Sequence, residues 1–320
     1  MRKYIKRGIL LLIAGILLLQ ISETYGLAGG IVTGNAPYGI AFDGANIWVT
    51  NYTGNTVTKL RASDGSLVGT YAVADPWGVA FDGANMWVTN YSSDTVTKLR
   101  ASDGSLVGMY SVGTTPTGVV FDGTYIWVAN AGGSVSKLRA SDGSSVGTYT
   151  VANPWGIAFD GATIWVTNHQ GKTVTRLNAN NGCLLGMYEV GVQPLGIAFD
   201  GANIWVTNNG GDTVTKLRAA DGSLLGKFPV GRNSFGVAFD GANIWVTNID
   251  GTVKKLRASD GCLEGTYTVC EYPDGVIFDG ANIWVANIKG SVTELRASDG
   301  VLVAACATRQ SCGVGPKVPD

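Results

Sequence analysis

Few side chains in the sequence are suited to acid–base chemistry. The candidates are the single histidine, His169, and two of the 24 acidic residues, Glu271 and Asp274, which lie three positions apart. Each could act as a general acid or base, and Asp274 could also bind a metal ion. However, His169 has no serine or cysteine beside it in a recognisable nucleophile context, and Pro-Asp-Gly is typical of a turn. We therefore predict no catalytic residue, although an enzyme that uses these three side chains stays open.

The sequence predicts no metal site and no other cofactor. Zinc sites are built from clustered cysteine and histidine, and the five cysteines contain no Cys-x-x-Cys pair. An Asp-Gly pair recurs seven times, at Asp43 and its counterparts, but without the closely spaced aspartates of a calcium loop. Tight hairpin turns explain these pairs.

The elements that must position any site come from an internal repeat. The stretch Phe-Asp-Gly-Ala-Asn-Ile-Trp-Val-Thr-Asn returns in seven versions, beginning at Phe42, Phe81, Phe121, Phe159, Phe199, Phe239 and Phe278. Successive copies therefore lie 39, 40, 38, 40, 40 and 39 residues apart. A period of about 40 residues indicates a ring-closed or stacked array.

Each repeat reads as four short strands. In the second copy, 78–81 and 86–89 are strands joined by an Asp-Gly turn, 95–99 alternates β-branched with other residues, and 106–112 follows a second Asp-Gly turn. A helical solenoid would not tolerate these turns, and a β-solenoid pairs its strands in parallel. The sequence thus predicts an all-β, seven-bladed β-propeller of four-stranded antiparallel blades.

The tryptophan of each second strand is predicted to be core rather than binding surface. These residues are Trp48, Trp87, Trp127, Trp165, Trp205, Trp245 and Trp284. We expect each indole to pack between adjacent blades, where it buries ~150–250 Å². The outer edge at the ring's seam could come from either end of the chain, 30–33 or 301–305.

Function is expected where the repeats differ. Two variable positions, the middle residue of Pro-x-Gly and the first residue after each second strand, should lie on one face around the mouth of the central channel. The predicted ligand-binding residues on this aromatic rim are Tyr38, Tyr52, Trp77, Tyr91, Trp155, His169, Phe235 and Asp274. Exposed rings of this kind usually mark a binding surface, although they could instead cover loops or fill the channel mouth.

The N-terminus carries the pattern of a secretory signal peptide. Basic residues precede an apolar stretch, 8–19, and small residues fit a cleavage after Ala28, with Gly26 as the alternative. The apolar run is shorter than the ~20 residues of a membrane-spanning helix. We predict residues 1–28 as signal peptide, 29–308 as propeller and 309–320 as tail, and an exported protein that is periplasmic, on the cell surface or extracellular.

Export permits disulfides, but the cysteine count is odd. Cys183 and Cys262 replace turn serines in blades two apart and should not pair with each other. If a disulfide exists, Cys312 is the favoured half, with Cys270 or Cys306 as its partner. The 23 basic and 24 acidic residues balance, so nucleic acid is not an expected partner.

In the Pro-x-Gly tripeptides and the Phe-Asp-Gly-x-x-Ile-Trp-Val stretches, the chain resembles the YVTN/NHL group of propellers. Within that group it is similar to the streptogramin (virginiamycin B) lyase-like branch, over about residues 36–300. The resemblance implies a catalytic histidine in one Pro-x-Gly slot and magnesium-binding acidic residues after the Trp-containing strand. Here no Pro-x-Gly slot holds histidine, and the acidic slot holds Asn51 and its six asparagine counterparts. Neutral amides lack the charge that magnesium requires, so the lyase chemistry is expected to be absent.

Three functional hypotheses follow. The first is a non-enzymatic exported propeller, expected to be a monomer without membrane contact after signal cleavage, that binds an unknown ligand, a glycan or an envelope protein at the rim. The second is a lyase or lactonase-type enzyme of the streptogramin lyase-like group that uses Asp274, Glu271 or His169. The third is a surface-structural repeat protein.

Overall fold

The computed structural model describes residues 31–304, which form a ring of seven antiparallel sheets. The fold is therefore the predicted seven-bladed β-propeller. The predicted signal peptide, 1–28, and tail, 309–320, lie outside the described residues. Within 31–304 no helix is long and apolar enough to cross a membrane.

In each blade the first strand lines the central channel and the later strands lie progressively further out. The described part of the chain starts with β1 (Ile31–Val32). Blade 1 holds β2 (Pro37–Phe42), β3 (Asn46–Asn51), β4 (Thr56–Arg61) and β5 (Leu67–Ala72). Blade 2 holds β6 (Pro76–Phe81), β7 (Asn85–Asn90), β8 (Thr95–Arg100) and β9 (Leu106–Ser111). Blade 3 holds β10 (Pro116–Phe121), β11 (Tyr125–Asn130), β12 (Ser134–Arg139) and β13 (Ser145–Thr150).

The remaining blades repeat this order. Blade 4 holds β14 (Pro154–Phe159), β15 (Thr163–Asn168), β16 (Thr173–Asn178) and β17 (Leu184–Glu189). Blade 5 holds β18 (Pro194–Phe199), β19 (Asn203–Asn208), a 3₁₀ turn (Asn209–Gly211), β20 (Thr213–Arg218) and β21 (Leu224–Pro229). Blade 6 holds β22 (Ser234–Phe239), β23 (Asn243–Asn248), β24 (Thr252–Arg257) and β25 (Leu263–Thr268). Blade 7 holds β26 (Pro273–Phe278), β27 (Asn282–Asn287), β28 (Ser291–Arg296) and β29 (Leu302–Ala304).

The Asp-Gly turn between the first two strands also fixes the buried indole. In blade 1, Asp43 Oδ1 accepts the backbone N–H groups of Ala45 and Asn46, at 2.9 and 2.7 Å. Its Oδ2 accepts the Nε1–H of Trp48 at 2.7 Å. The same indole–aspartate bond occurs in all seven blades, at 2.6–2.8 Å. The turns therefore use the aspartates internally, which satisfies the only polar group of each buried ring.

The seven tryptophans are fully buried between blades, as predicted. Trp48 packs with Val57 of its own blade and with Met86, Val88 and Leu99 of blade 2. All seven rings have no solvent exposure. At ~25 cal/mol per Å², burying ~150–250 Å² contributes up to roughly 4–6 kcal/mol per ring as an upper bound.

A buried cation adds a polar link between blades, which sequence reasoning missed. Lys59 is 4% exposed, and its Nζ lies 5.1 Å from the centroid of Trp48. The same Nζ donates to the carbonyl oxygens of Ala101 and Ser102 in blade 2, at 2.7 and 3.3 Å. Equivalent links to the next blade are made by Lys98, Lys137, Arg176, Lys216 and Lys255.

The innermost strands meet directly at the channel. A Cβ on Gly39 would clash with the carbonyl oxygen of Trp77 in blade 2, so only glycine permits this approach. Thr50 Oγ1 donates to the same carbonyl at 2.6 Å. These contacts use the backbone of Trp77 and leave its side chain at the channel mouth.

Both chain ends close the ring. β28 pairs with β1 over one half of its length, Ile31 opposite Val292, and with β29 over the other half, Leu295 opposite Leu302. Ile31 is buried in the core between blades 7 and 1. The sequence left open which end supplies the outer edge, and in the structure β1 and β29 share it.

The cysteines with described surroundings separate into two kinds. Cys183 and Cys262 are exposed and free, in agreement with the prediction that they do not pair with each other. Cys270 takes part in a disulfide. Cys306 and Cys312 lie outside the described residues, so the pairing of Cys312 stays a prediction.

One buried side chain at the seam carries an acidic group where the other blade junctions have a cation. Glu294 occupies the position of the lysines and is 5% exposed. Burial, and then the charge of Asp279, raises its pKa to about 7. The unfolded chain loses this proton near pH 4.3, so this group lowers the free energy of unfolding as pH rises from about 4 to about 7.

Replacing Trp205 should destabilise the ring. We expect Trp205→Ala to lower the free energy of unfolding by ~3–5 kcal/mol, because the cavity between blades 5 and 6 cannot collapse. Chemical denaturation followed by circular dichroism measures this loss. Leu225→Ala, in the same blade but 42% exposed, is the control and should change stability by less than about 1 kcal/mol. Equal effects of the two variants would contradict the assignment of the indole to the core.

Restoring the missing cation should strengthen the seam. We expect Glu294→Lys to raise Tm at pH 8 by a few degrees, because an ammonium can donate to the blade 1 carbonyls and face Asp279. The gain should shrink at pH 5, where Glu294 is protonated. Glu294→Gln is the matched control, since it removes the charge without supplying a cation and should give a smaller gain. A Tm at pH 8 that is unchanged in both variants would show that Glu294 does not weaken the seam.

Candidate functional site

One end of the central channel opens into a cavity of about 430 Å³. Every blade contributes three consecutive residues of its first strand. They are the middle residue of the Pro-x-Gly tripeptide, which begins with Ser234 in blade 6, then its glycine and the apolar residue that follows. The middle residues are Tyr38, Trp77, Thr117, Trp155, Leu195, Phe235 and Asp274. The backbone N–H of Tyr52 donates to the carbonyl of Ala36 at 2.8 Å, so the loop after the second strand lies beside the start of the first. The two variable positions therefore share one face of the ring.

Aromatic rings of blades 1 and 2 pack against one another at the mouth. Tyr38 stacks on Trp77, with centroids 4.3 Å apart and planes at 19°. Tyr52 lies edge-on to both, at 5.9 and 5.4 Å, and Tyr91 lies 4.9 Å from Trp77. All four side chains are half-buried.

The packing continues across blade 3 to blade 4. Trp77 meets Trp155 at 5.7 Å in a T-shaped contact, and His169 lies 5.3 Å from Trp155. Thr117, in blade 3, lies between the two tryptophans around the propeller. It is fully buried, and its Oγ1 donates to the carbonyl of Trp155 at 2.9 Å. We call Tyr38, Tyr52, Trp77, Tyr91, Trp155 and His169 the aromatic cluster. Six of the eight predicted binding residues therefore form one contact network.

The other two predicted residues lie outside the aromatic cluster. Phe235 and Asp274 line the cavity from blades 6 and 7 and are half-buried. Leu195, in blade 5, is buried and separates them from Trp155 around the ring. On the other side, blade 7 packs against blade 1, so the carboxyl group lies between Phe235 and Tyr38 around the mouth.

Asp274 is the only charged side chain that lines the cavity in the described part of the chain. Its backbone carbonyl accepts from Thr247 Oγ1 at 2.7 Å, whereas its carboxylate has no hydrogen-bond or ion-pair partner within 31–304. Burial raises the pKa of Asp274 to about 7. Burial, and then the charge of Asp274, raises the pKa of Tyr38. The carboxyl group therefore has no charge partner in the part of the chain that the structure describes.

His169 is at the outer side of the aromatic cluster and does not line the cavity. Its Nδ1 is buried without a hydrogen-bond partner among the described residues. Burial lowers the pKa of His169, and the backbone of Pro194 opposes this only in part. The imidazole is therefore neutral at physiological pH.

The three candidate acid–base residues do not share a pocket. His169 belongs to blade 4 and Asp274 to blade 7, on opposite sides of the ring, and Glu271 is exposed in the loop before β26. No hydrogen bond or ion pair connects them within the described residues. A mechanism that needs two of these groups at one substrate atom has no support from this geometry.

The asparagines in the slot that the resemblance relates to magnesium serve the blades themselves. Asn51 is fully buried; its Nδ2 donates to Thr56 and Thr58, and its Oδ1 accepts from Gly34. Its counterparts are Asn90, Asn130, Asn168, Asn208, Asn248 and Asn287, all buried. Within residues 31–304 no three metal-ligating side chains come together.

Comparison with known proteins gives the fold. No family model matches the sequence, and no curated protein matches it. Similar solved structures include a hydrazine synthase of Kuenenia stuttgartiensis, with a TM-score of 0.72 at 20% identity, covering 83% of this chain and 96% of that one. A streptogramin B lyase gives 0.71 at 21%, covering 82% and 94%. A functionally unknown protein from Desulfotomaculum acetoxidans DSM 771 gives 0.70 at 16%, covering 82% and 95%. The chain therefore shares its propeller fold with enzymes and with a protein of unknown function.

Proposed function

We propose that this protein is an exported, non-enzymatic binding protein whose ligand occupies the aromatic mouth of the propeller channel. The observation that carries the proposal is the cavity of about 430 Å³ between the aromatic cluster and Asp274. This volume falls in the range of small-molecule sites, which are mostly apolar with a few placed polar groups. Export is supported by the N-terminal sequence pattern.

The ring contacts favour a binding surface over a plug. Tyr38, Trp77 and Trp155 hold one another in place through ring contacts at 4.3 and 5.7 Å, yet each remains half-buried and lines open volume. Rigid rings of this kind lose little conformational entropy when a ligand binds. The cluster is thus preorganised to receive an apolar or planar group.

The enzyme hypothesis remains the second candidate because a streptogramin B lyase shares the fold at 21% identity. Likeness at that level concerns the scaffold, and one scaffold hosts many activities. In this chain His169 lies outside the cavity. The described lining holds two acid–base groups, Asp274 and Tyr38. The site therefore offers recognition groups rather than a catalytic pair.

Changes in the aromatic cluster should separate binding from folding. We expect Trp77→Ala and Trp155→Ala to abolish binding of ligands found in a screen of small molecules and glycans, because the stacking surface is lost. Both should lower Tm far less than Trp205→Ala, since their rings are half-buried. Isothermal titration calorimetry and thermal melts measure the two effects.

The matched control is Tyr272→Ala, which removes an exposed aromatic ring that does not line the cavity. It should bind as the parent does. If Trp77→Ala and Trp155→Ala also bind as the parent does, the ligand site is not the channel mouth.

The single histidine provides a direct test of the environment of the aromatic cluster. We expect an NMR titration of the His169 ring protons to give a pKa below 6.5, because burial disfavours the imidazolium ion. Trp155→Ala should raise this pKa, since water then reaches the ring. A parent pKa at or above 6.5 would contradict the packing described and would favour a histidine available as a base.

A further inference from the structure

We propose, on the basis of the proposed function, that the ligand carries an alkylammonium group. This cation is held between the Asp274 carboxylate and the aromatic rings of the channel mouth. The chemical class is thus an organic cation, for example one with a quaternary ammonium head group.

The first support is an unmatched charge. The Asp274 carboxylate faces a cavity with no cationic side chain in its described lining. Lys289 is the cation of the adjacent loop, and its Nζ lies 5.1 Å over the ring of Tyr272, which does not line the cavity. An isolated carboxylate in a largely apolar site is unfavourable unless an opposite charge joins it. Within residues 31–304 no side chain supplies the complementary charge, and a cationic ligand would supply it.

The second support is the placement of rings around that carboxylate. Asp274 lies on β26, which packs between β22 and β2, the strands of Phe235 and Tyr38. Tyr38 stacks on Trp77, and Trp77 meets Trp155. Rings therefore stand on both sides of the carboxylate and extend across the mouth. Aromatic faces attract ammonium groups, most strongly where water is excluded.

The lining disfavours other ligand classes. An anion would face the Asp274 charge without a cationic partner. A sugar needs several convergent donors and acceptors. Apart from Asp274, the polar side-chain groups of the described lining are the Tyr38 hydroxyl, two indole N–H groups and the Thr117 hydroxyl. The Thr117 hydroxyl is buried and already donates to the carbonyl of Trp155. The walls below are Ile40, Val79 and their apolar counterparts in the other blades.

The test uses two probes of equal shape and different charge. Calorimetry at pH 8.5 compares choline with 3,3-dimethylbutan-1-ol, in which a carbon replaces the quaternary nitrogen. We expect choline to bind at least about tenfold more tightly, from the cation–aromatic attraction and the Asp274 charge. Asp274→Asn should weaken choline binding about tenfold and leave the alcohol unchanged, because it keeps the shape and removes the charge.

A second measurement needs no substitution. Choline has no titrating ammonium proton, so any change in its affinity between pH 5.5 and 8.5 reports on the protein. Asp274 and Tyr38 are the titratable groups of the described lining, and the raised pKa of Tyr38 keeps it neutral over this range. His169 lies outside the lining but packs against Trp155, and burial lowers its pKa. The variant Asp274→Asn keeps His169 and so separates the two groups. Affinity should rise about tenfold as Asp274 ionises near pH 7, and this rise should vanish in Asp274→Asn.

The outcomes separate this inference from the proposed function. Equal binding of the two probes, no binding of choline, or an Asp274→Asn variant that binds choline as the parent does would overturn the cation assignment. In those cases the proposed function survives if a neutral ligand binds in a manner that depends on Trp77. If no ligand in the screen depends on Trp77 or Trp155, the proposed function fails as well.

Discussion

The contact between a buried indole and the next blade is the interaction on which the ring depends. Trp48 presents one edge to Asp43, through its Nε1–H, and lies beneath the ammonium of Lys59. The same ammonium reaches carbonyl oxygens of blade 2. Six of the seven indoles therefore join an apolar interface to a polar link, and removal of water from the interface strengthens that link. Repetition around the circle makes every blade depend on its two neighbours.

The seam is the junction where this system is incomplete. Blade 7 has Glu294 in place of the lysine and Ala286 in place of the threonine that donates to the neighbouring inner strand. Strand pairing supplies another link across the seam: β1, which the chain leads directly into β2 of blade 1, pairs with β28 of blade 7. Ile31 then fills the core between blades 7 and 1. Closure by shared strands allows the seam to tolerate a weaker polar link.

The fold could be predicted from the sequence because each local signal occurs in seven copies. Asp-Gly at Asp43 requires a tight turn, and alternation in 56–61 requires a strand, so the four-stranded blade follows from local signals. The cation link could not be predicted, since it joins Lys59 to carbonyls 42 and 43 residues away, and carbonyls carry no sequence signal. The shared seam was left open for the same reason, as both ends offered short apolar strands.

The candidate site was predictable in position but not in organisation. The fold uses the backbone of Pro-x-Gly, through the glycine and the carbonyl of x, so the side chain of x is free to vary without loss of the ring. Blade 3 supports this interpretation: Ala129 cannot supply the usual hydroxyl group, and Thr117 supplies it from position x instead. With Thr117 drawn into the wall, Trp77 and Trp155 come into contact across it. That contact depends on how the blades are arranged around the channel, which no single repeat encodes. Within the described residues, the side chain of Asp274 makes no contact that holds the blades together, since only its backbone oxygen accepts a hydrogen bond. Its carboxyl group is therefore not required by the packing of the described blades, in contrast to the hydroxyl group of Thr117.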